Sequence, residues 1–314
     1  MNCIRLYSTQ FGVLLLIDRF LFVALSLKAA YDAQGGGERA CASLAEKLYL
    51  CLQDEIAEIS AKGSRLMPVS GAASLCAGRN ALFCADSTGA IWRFDAESMT
   101  ERAIGCGGPG VCDMCLSDDG ERLFSLLGEA DSILMSDALS IRPLTVNRCG
   151  CNPQNISLCG NTLAVSGGES EYVYLFNAQT LECMAKIPMP GPVYRVFLAQ
   201  DTIYALCLTE EFNTHFAICQ KGNLRSIQLV GIPGCFGVCG EELLIATQRR
   251  LHVYSPADGR LLGRHSMPGI AARICLCWGK VFLLDAWSES VFVSHKDRIW
   301  RRIFTGVKGM FDCR

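Results

Sequence analysis

Short apolar, β-rich stretches begin near Ile4, Leu48, Leu82, Leu123, Leu163, Ile203, Leu243 and Val281, so the chain repeats itself about every 40 residues. That period is too short for an independent domain and too long for a single hairpin. It suits a four-stranded unit that cannot bury its own faces and must stack on its neighbours. Each unit follows the same order: a strand ending in a small residue, a tight turn, an apolar strand, a short turn, an alternating strand, then a polar connection. Two units show it best. Residues 110–127 read GVCDMCLSDDGERLFSLL, with Asp119-Gly120 supplying a turn residue that tolerates positive φ, and residues 161–191 read NTLAVSGGESEYVYLFNAQTLECMAKIPMPG. In the second, Tyr172, Tyr174 and Phe176 alternate with Val173 and Leu175, so both faces of one strand are apolar, as a sheet packed between two others requires.

These observations predict an all-β chain folded as a β-propeller over residues 1–314, one domain of eight four-stranded blades, with seven as the alternative. The ends fit a ring. The first unit lacks an inner strand, and residues 306–314 form an orphan one that would complete it and remove both open edges. The choice between eight and seven turns on residues 38–62. There Leu44, Leu48, Leu52, Ile56 and Ile59 also suit an amphipathic helix, although KLYLCLQDEIAEIS at 47–60 aligns without a gap to ELLIATQRRLHVYS at 242–255.

Ser117 to Gly120, Asn177 to Thr180 and the Ile187 to Gly191 close resemble the YVTN-type repeats of bacterial propellers, with Asn177 where that pattern carries Asp. The resemblance implies the propeller architecture and leaves activity open.

Composition narrows the functional classes. With 29 Lys+Arg against 31 Asp+Glu, a net charge of −2 and half the residues apolar, the chain is neither disordered nor a broadly basic nucleic-acid binder. The apolar stretch at 11–27 carries Asp18 and Arg19 at its centre, which argues against a membrane span or signal peptide. Nineteen cysteines, an odd number placed within strands, are expected to be reduced thiols in a cytoplasmic protein.

The cysteine groupings admit a metal or redox reading beside plain packing. Small residues align at the ends of inner strands, five of them cysteine, where convergence toward the axis favours small side chains. Cys112 with Cys115 is the only C-x-x-C; Cys149 with Cys151 and Cys275 with Cys277 are separated by one residue. The expectation is no metal site and no cofactor, because four converging ligands cannot be assembled from repeat-related positions on different blades. Neither a G-x-S-x-G elbow nor a phosphate-binding loop is present, and the four histidines fall outside the inner strands, so no catalytic residue is assigned.

Four residues before each aligned small residue, Asp113, Asn155, Arg195 and Arg273 form a polar set expected at the mouth of the central channel. Guanidinium groups there would suit a carboxylate or phosphate. Trp278, Trp287 and Trp300 beside Arg298, Arg301 and Arg302 offer a second surface for a protein. The expected role is therefore a non-enzymatic binding or interaction module whose partner is a protein or a small anion. The alternative is a hydrolase resembling propeller lactonases, with Asp113 as its one acid–base candidate.

Overall fold

The computed structural model describes residues 110–208 continuously. Outside that span it describes 5–9, 12–16, 41–44, 47–51, 55–60, 63–69, 72–78, 81–86, 88–95, 98, 101–106, 108, 214–229, 233–239, 242–247, 250–268, 271–277, 280–285, 290–294 and 300–305. Among these residues a hairpin of Arg5–Thr9 and Gly12–Leu16 precedes seven four-stranded antiparallel sheets. The sheets, numbered 1 to 7 in chain order, span 41–68, 72–106, 111–148, 153–188, 193–229, 233–266 and 271–305. Within every sheet the spatial order of strands is their order along the chain, which is what short turns between antiparallel neighbours produce.

The first strand of each sheet lies at the centre. Ala72–Ala77 touches both Cys41–Leu44 and Val111–Leu116; Val111–Leu116 touches Pro153–Cys159, which touches Val193–Ala199. Ala271–Cys277 packs on Pro233–Cys239 on one side and Cys41–Leu44 on the other, so sheet 7 returns to sheet 1. This is the propeller arrangement expected from the repeat.

Burial explains why the units need one another. In sheet 4, Tyr174 and Phe176 enter a core shared with Phe124, Leu126 and Ile133 of sheet 3, while Val173, on the opposite face of the same strand, enters a core shared with Val193, Val196 and Ala205 of sheet 5. Further cores lie between sheets 1 and 2, 2 and 3, 5 and 6, and 6 and 7. Each fully buried Leu, Ile or Phe in them contributes about 1.5–3 kcal/mol of transfer free energy.

The turns carry local hydrogen bonds. Gly120 has φ +79° and donates to the Ser117 carbonyl at 2.9 Å. At the close of the third strands, Asp137 Oδ1 accepts from the Ser140 amide at 2.7 Å and Asn177 Oδ1 from the Thr180 amide at 3.1 Å. Asp95 and Ser98 repeat the arrangement in sheet 2. The following residues in sheets 3 and 4, Ile141 and Leu181, adopt φ +56° and +59° and are both buried, so packing between sheets holds a conformation that these side chains ordinarily avoid.

Where strand and helix competed at 38–62, the strand reading holds. Residues 41–60 form the strands Cys41–Leu44, Lys47–Cys51 and Glu55–Ser60, not a helix: cross-strand pairing such as Lys47 with Ser60, and complete burial of Tyr49 and Ile56, override local helix preference. The described residues supply seven four-stranded sheets, and the count of eight is not confirmed. The closing strand at 306–314 lies outside the described residues. In the apolar stretch at 11–27, Gly12–Leu16 is a strand, and among the described residues no helix is long and apolar enough to cross a membrane.

Candidate functional site

The central strands are joined by side chains as well as by packing. Alternate residues of a strand share one face, and on Pro153–Cys159 the face carrying Asn155, Ser157 and Cys159 turns toward Val193–Ala199. Asn155 Oδ1 accepts from the Val196 amide at 2.7 Å, Ser157 Oγ from the Leu198 amide at 2.9 Å, and Cys159 Sγ from the Gln200 amide at 3.2 Å. One sheet earlier, Asp113 Oδ2 accepts from the Ile156 amide at 3.0 Å and from Asn155 Nδ2. The central strands of different sheets cannot pair edge to edge as a ladder, so these acceptors satisfy amides that burial would otherwise leave wanting.

Arg195 continues the series into sheet 5 but cannot continue its chemistry, because a guanidinium has no acceptor. Its Nε is buried and has no hydrogen-bond partner. The side chain lines a cavity of about 250 Å³ together with Asn155, Tyr194, Gln154, Cys112 and Glu129. The cavity lies where the central strands of sheets 3, 4 and 5 begin, beside the hairpin turn at Gly128 and Glu129.

Of the four residues expected at the mouth, the structure thus links Asp113 to Asn155 and places Asn155 and Arg195 on one cavity. Arg273 sits on Ala271–Cys277 opposite Leu284, and its side chain lies outside the described residues, as do those of the tryptophan and arginine group in sheet 7.

The thiols nearest this site are poor nucleophiles. Burial, reinforced by the negative charge of Asp113, pushes both Cys76 and Cys112 up to about 12, and Cys112 donates to the Pro153 carbonyl at 3.2 Å. Asp113 has its Oδ2 occupied by two donors, an arrangement that suits holding strands together more than moving protons. His215 and His252 lie on third strands and His265 on a fourth strand, away from the centre.

One grouping was not legible in the sequence. Cys149 and Cys151 fall in the connection between Pro143–Arg148 and Pro153–Cys159, and the hairpin turn after Arg122–Leu127 brings Asp131 to them. Donor atoms of Asp131, Cys149 and Cys151 all lie within 4.8 Å of one another. The C-x-C spacing announced the two thiols; nothing along the chain announced the carboxylate, which arrives only through the pairing of sheet 3.

No protein-family model matches the sequence, and no curated protein matches it. Solved structures do. The chain is similar to a chain of Kuenenia stuttgartiensis hydrazine synthase, with a TM-score of 0.68 and 11% identity over 83% of this chain and 96% of that one. It is similar to the β-propeller domain of Myceliophteria thermophila Cps50 (Swd1), with a TM-score of 0.67 and 13% identity over 82% and 96%. The WD40 repeats of RRP9 give 0.62 and 14% identity over 75% and 80%. At such identities the likeness is one of fold, and the fold it shows is the β-propeller.

Proposed function

We propose that this chain is a non-enzymatic interaction module, a single propeller domain of YVTN-like repeats that receives an acidic group of a protein partner at the Arg195 cavity. The observation that carries the reading is the buried, unpartnered Nε of Arg195 on that cavity. Leaving a guanidinium donor desolvated costs stability unless an acceptor arrives, and a carboxylate is the acceptor its fork fits. Asn155 forms the adjoining wall, Asp113 fixes the Asn155 amide, and Arg273 would add a second cation at the mouth. A free small anion is the alternative occupant. The unbridged thiols of the described residues suit a reducing, cytoplasmic setting.

The test is quantitative affinity capture from the host with wild type, Arg195→Ala and Arg195→Lys, read by mass spectrometry, alongside melting curves. A stoichiometric partner whose yield falls about tenfold or more in Arg195→Ala, with the melting temperature kept, is the expected result. Equal recovery of the same proteins by wild type and Arg195→Ala overturns the reading.

A further inference from the structure

We propose that Asp131, Cys149 and Cys151 form a binding site for a thiophilic divalent cation of the zinc class. This goes beyond the interaction reading and departs from the expectation that the chain has no metal site. The objection to a site built from cysteines was that repeat-related positions lie on separate blades. These three residues are not repeat-related: two flank one glycine in a connection, and the third sits in a hairpin turn of sheet 3.

The donor set suits the ion. Two sulfurs and one carboxylate oxygen lie within 4.8 Å of one another, close enough for small side-chain shifts to reach the roughly 3.8 Å at which bonds of about 2.3 Å place two thiolates around a tetrahedral zinc. Thiolates also select against calcium and magnesium, which take oxygen. Both cysteines are buried, at 8% exposure each, while Arg148, Gly150 and Asn152 around them are exposed.

The site is also held in advance. Asp131 Oδ1 accepts from the amides of Cys151 at 3.0 Å and Asn152 at 2.9 Å, Oδ2 accepts from the Gly150 amide at 3.0 Å, and the Asp131 carbonyl accepts from the Cys149 amide at 2.8 Å. The connection carrying the thiols is therefore wrapped around the carboxylate, with Gly150 at φ +70° and Asn152 at φ +48° making the reversal. Oδ2 keeps one lone-pair direction for a metal, and its orientation is fixed by backbone donors, the role that outer hydrogen bonds play in metal centres. Gly167 makes the close approach possible: a Cβ there would meet the Cys151 carbonyl oxygen at 1.7 Å.

A divalent cation at this position binds the sulfurs as thiolates and displaces their protons.

The experiment uses the full chain, purified anaerobically with a phosphine reductant, stripped with a chelator and titrated with Co²⁺ followed by Zn²⁺. Expected are thiolate-to-cobalt charge-transfer and tetrahedral d–d bands that saturate near one equivalent and vanish on adding Zn²⁺, with about two protons released per cation. Cys149→Ser/Cys151→Ser should lose the bands, Asp131→Asn should weaken binding about tenfold or more, and Cys183→Ser, at an exposed thiol elsewhere, should keep both. Zinc-edge absorption of the wild type should show at least two sulfur neighbours, a readout independent of whether the variants fold. Absence of the bands in wild type, their survival in the double variant, fewer than two sulfurs around zinc, or a Cys149–Cys151 disulfide in freshly purified protein would each overturn the site.

Discussion

His252 is nearly fully buried on the third strand of sheet 6, with Nε2 at 2.9 Å from Thr247 Oγ1 and Nδ1 buried without a partner. Protonation would place a charge on a ring with no free acceptor, and Arg264 and Arg250 oppose it further, so burial and these cations hold His252 below its ordinary value near 6.5. The native state therefore binds this proton less readily than the unfolded chain. The stability that depends on neutral His252 is complete above about pH 6.5 and is lost progressively as pH falls below it. Melting temperatures between pH 7 and pH 5 should decline in wild type and decline less steeply in His252→Gln; parallel profiles would exclude His252 as the titrating group. The sequence placed this histidine on an outer strand but could not show its orphan nitrogen, since that depends on what the neighbouring sheet brings against the ring. Asp131 was not legible because only the hairpin of sheet 3 brings it to the two thiols. Arg195 and Asn155 were legible because the repeat puts them at equivalent positions, although the sequence did not reveal that Asp113 and Asn155 reach sideways to the next strand.

At the level of strands, those sideways bonds are testable. Ser157 is buried and its hydroxyl satisfies the amide of buried Leu198, so Ser157→Ala should cost about 1–2 kcal/mol by denaturant unfolding, and Asn155→Ala, which strands the Val196 amide, a similar amount. A neutral Ser157→Ala would mean that water replaces the hydroxyl. Strand identities were readable wherever a turn residue and an apolar run coincided, as at Asp119-Gly120 and again at Tyr172–Asn177. They were ambiguous at 38–62, where helical spacing and strand alignment competed. Pairing decided it: the register of Lys47–Cys51 with Glu55–Ser60 buries Tyr49 and Ile56 against sheet 2, which an isolated helix could not do. The recurring turn at Asp95–Ser98, Asp137–Ser140 and Asn177–Thr180 is legible in the sequence only in its last copy, because the flanking residues vary while the capping geometry does not.

At the scale of the whole molecule, the cores formed by the described residues are shared between neighbouring sheets. Leu163, fully buried in the core between sheets 3 and 4, is consequently a residue on which more than its own unit depends. Leu163→Asp should lose upwards of about 4 kcal/mol and leave the protein insoluble or unfolded by circular dichroism. A soluble variant with unchanged melting would show that the strand faces the other way. The side-chain links between central strands have one further property. The acceptors of sheet 3 hold amides of sheet 4, and those of sheet 4 hold amides of sheet 5. The links run forward along the chain, so a lesion has a downstream side: removing an acceptor in one sheet deprives the next sheet of a partner, while its own amides remain held by the sheet before.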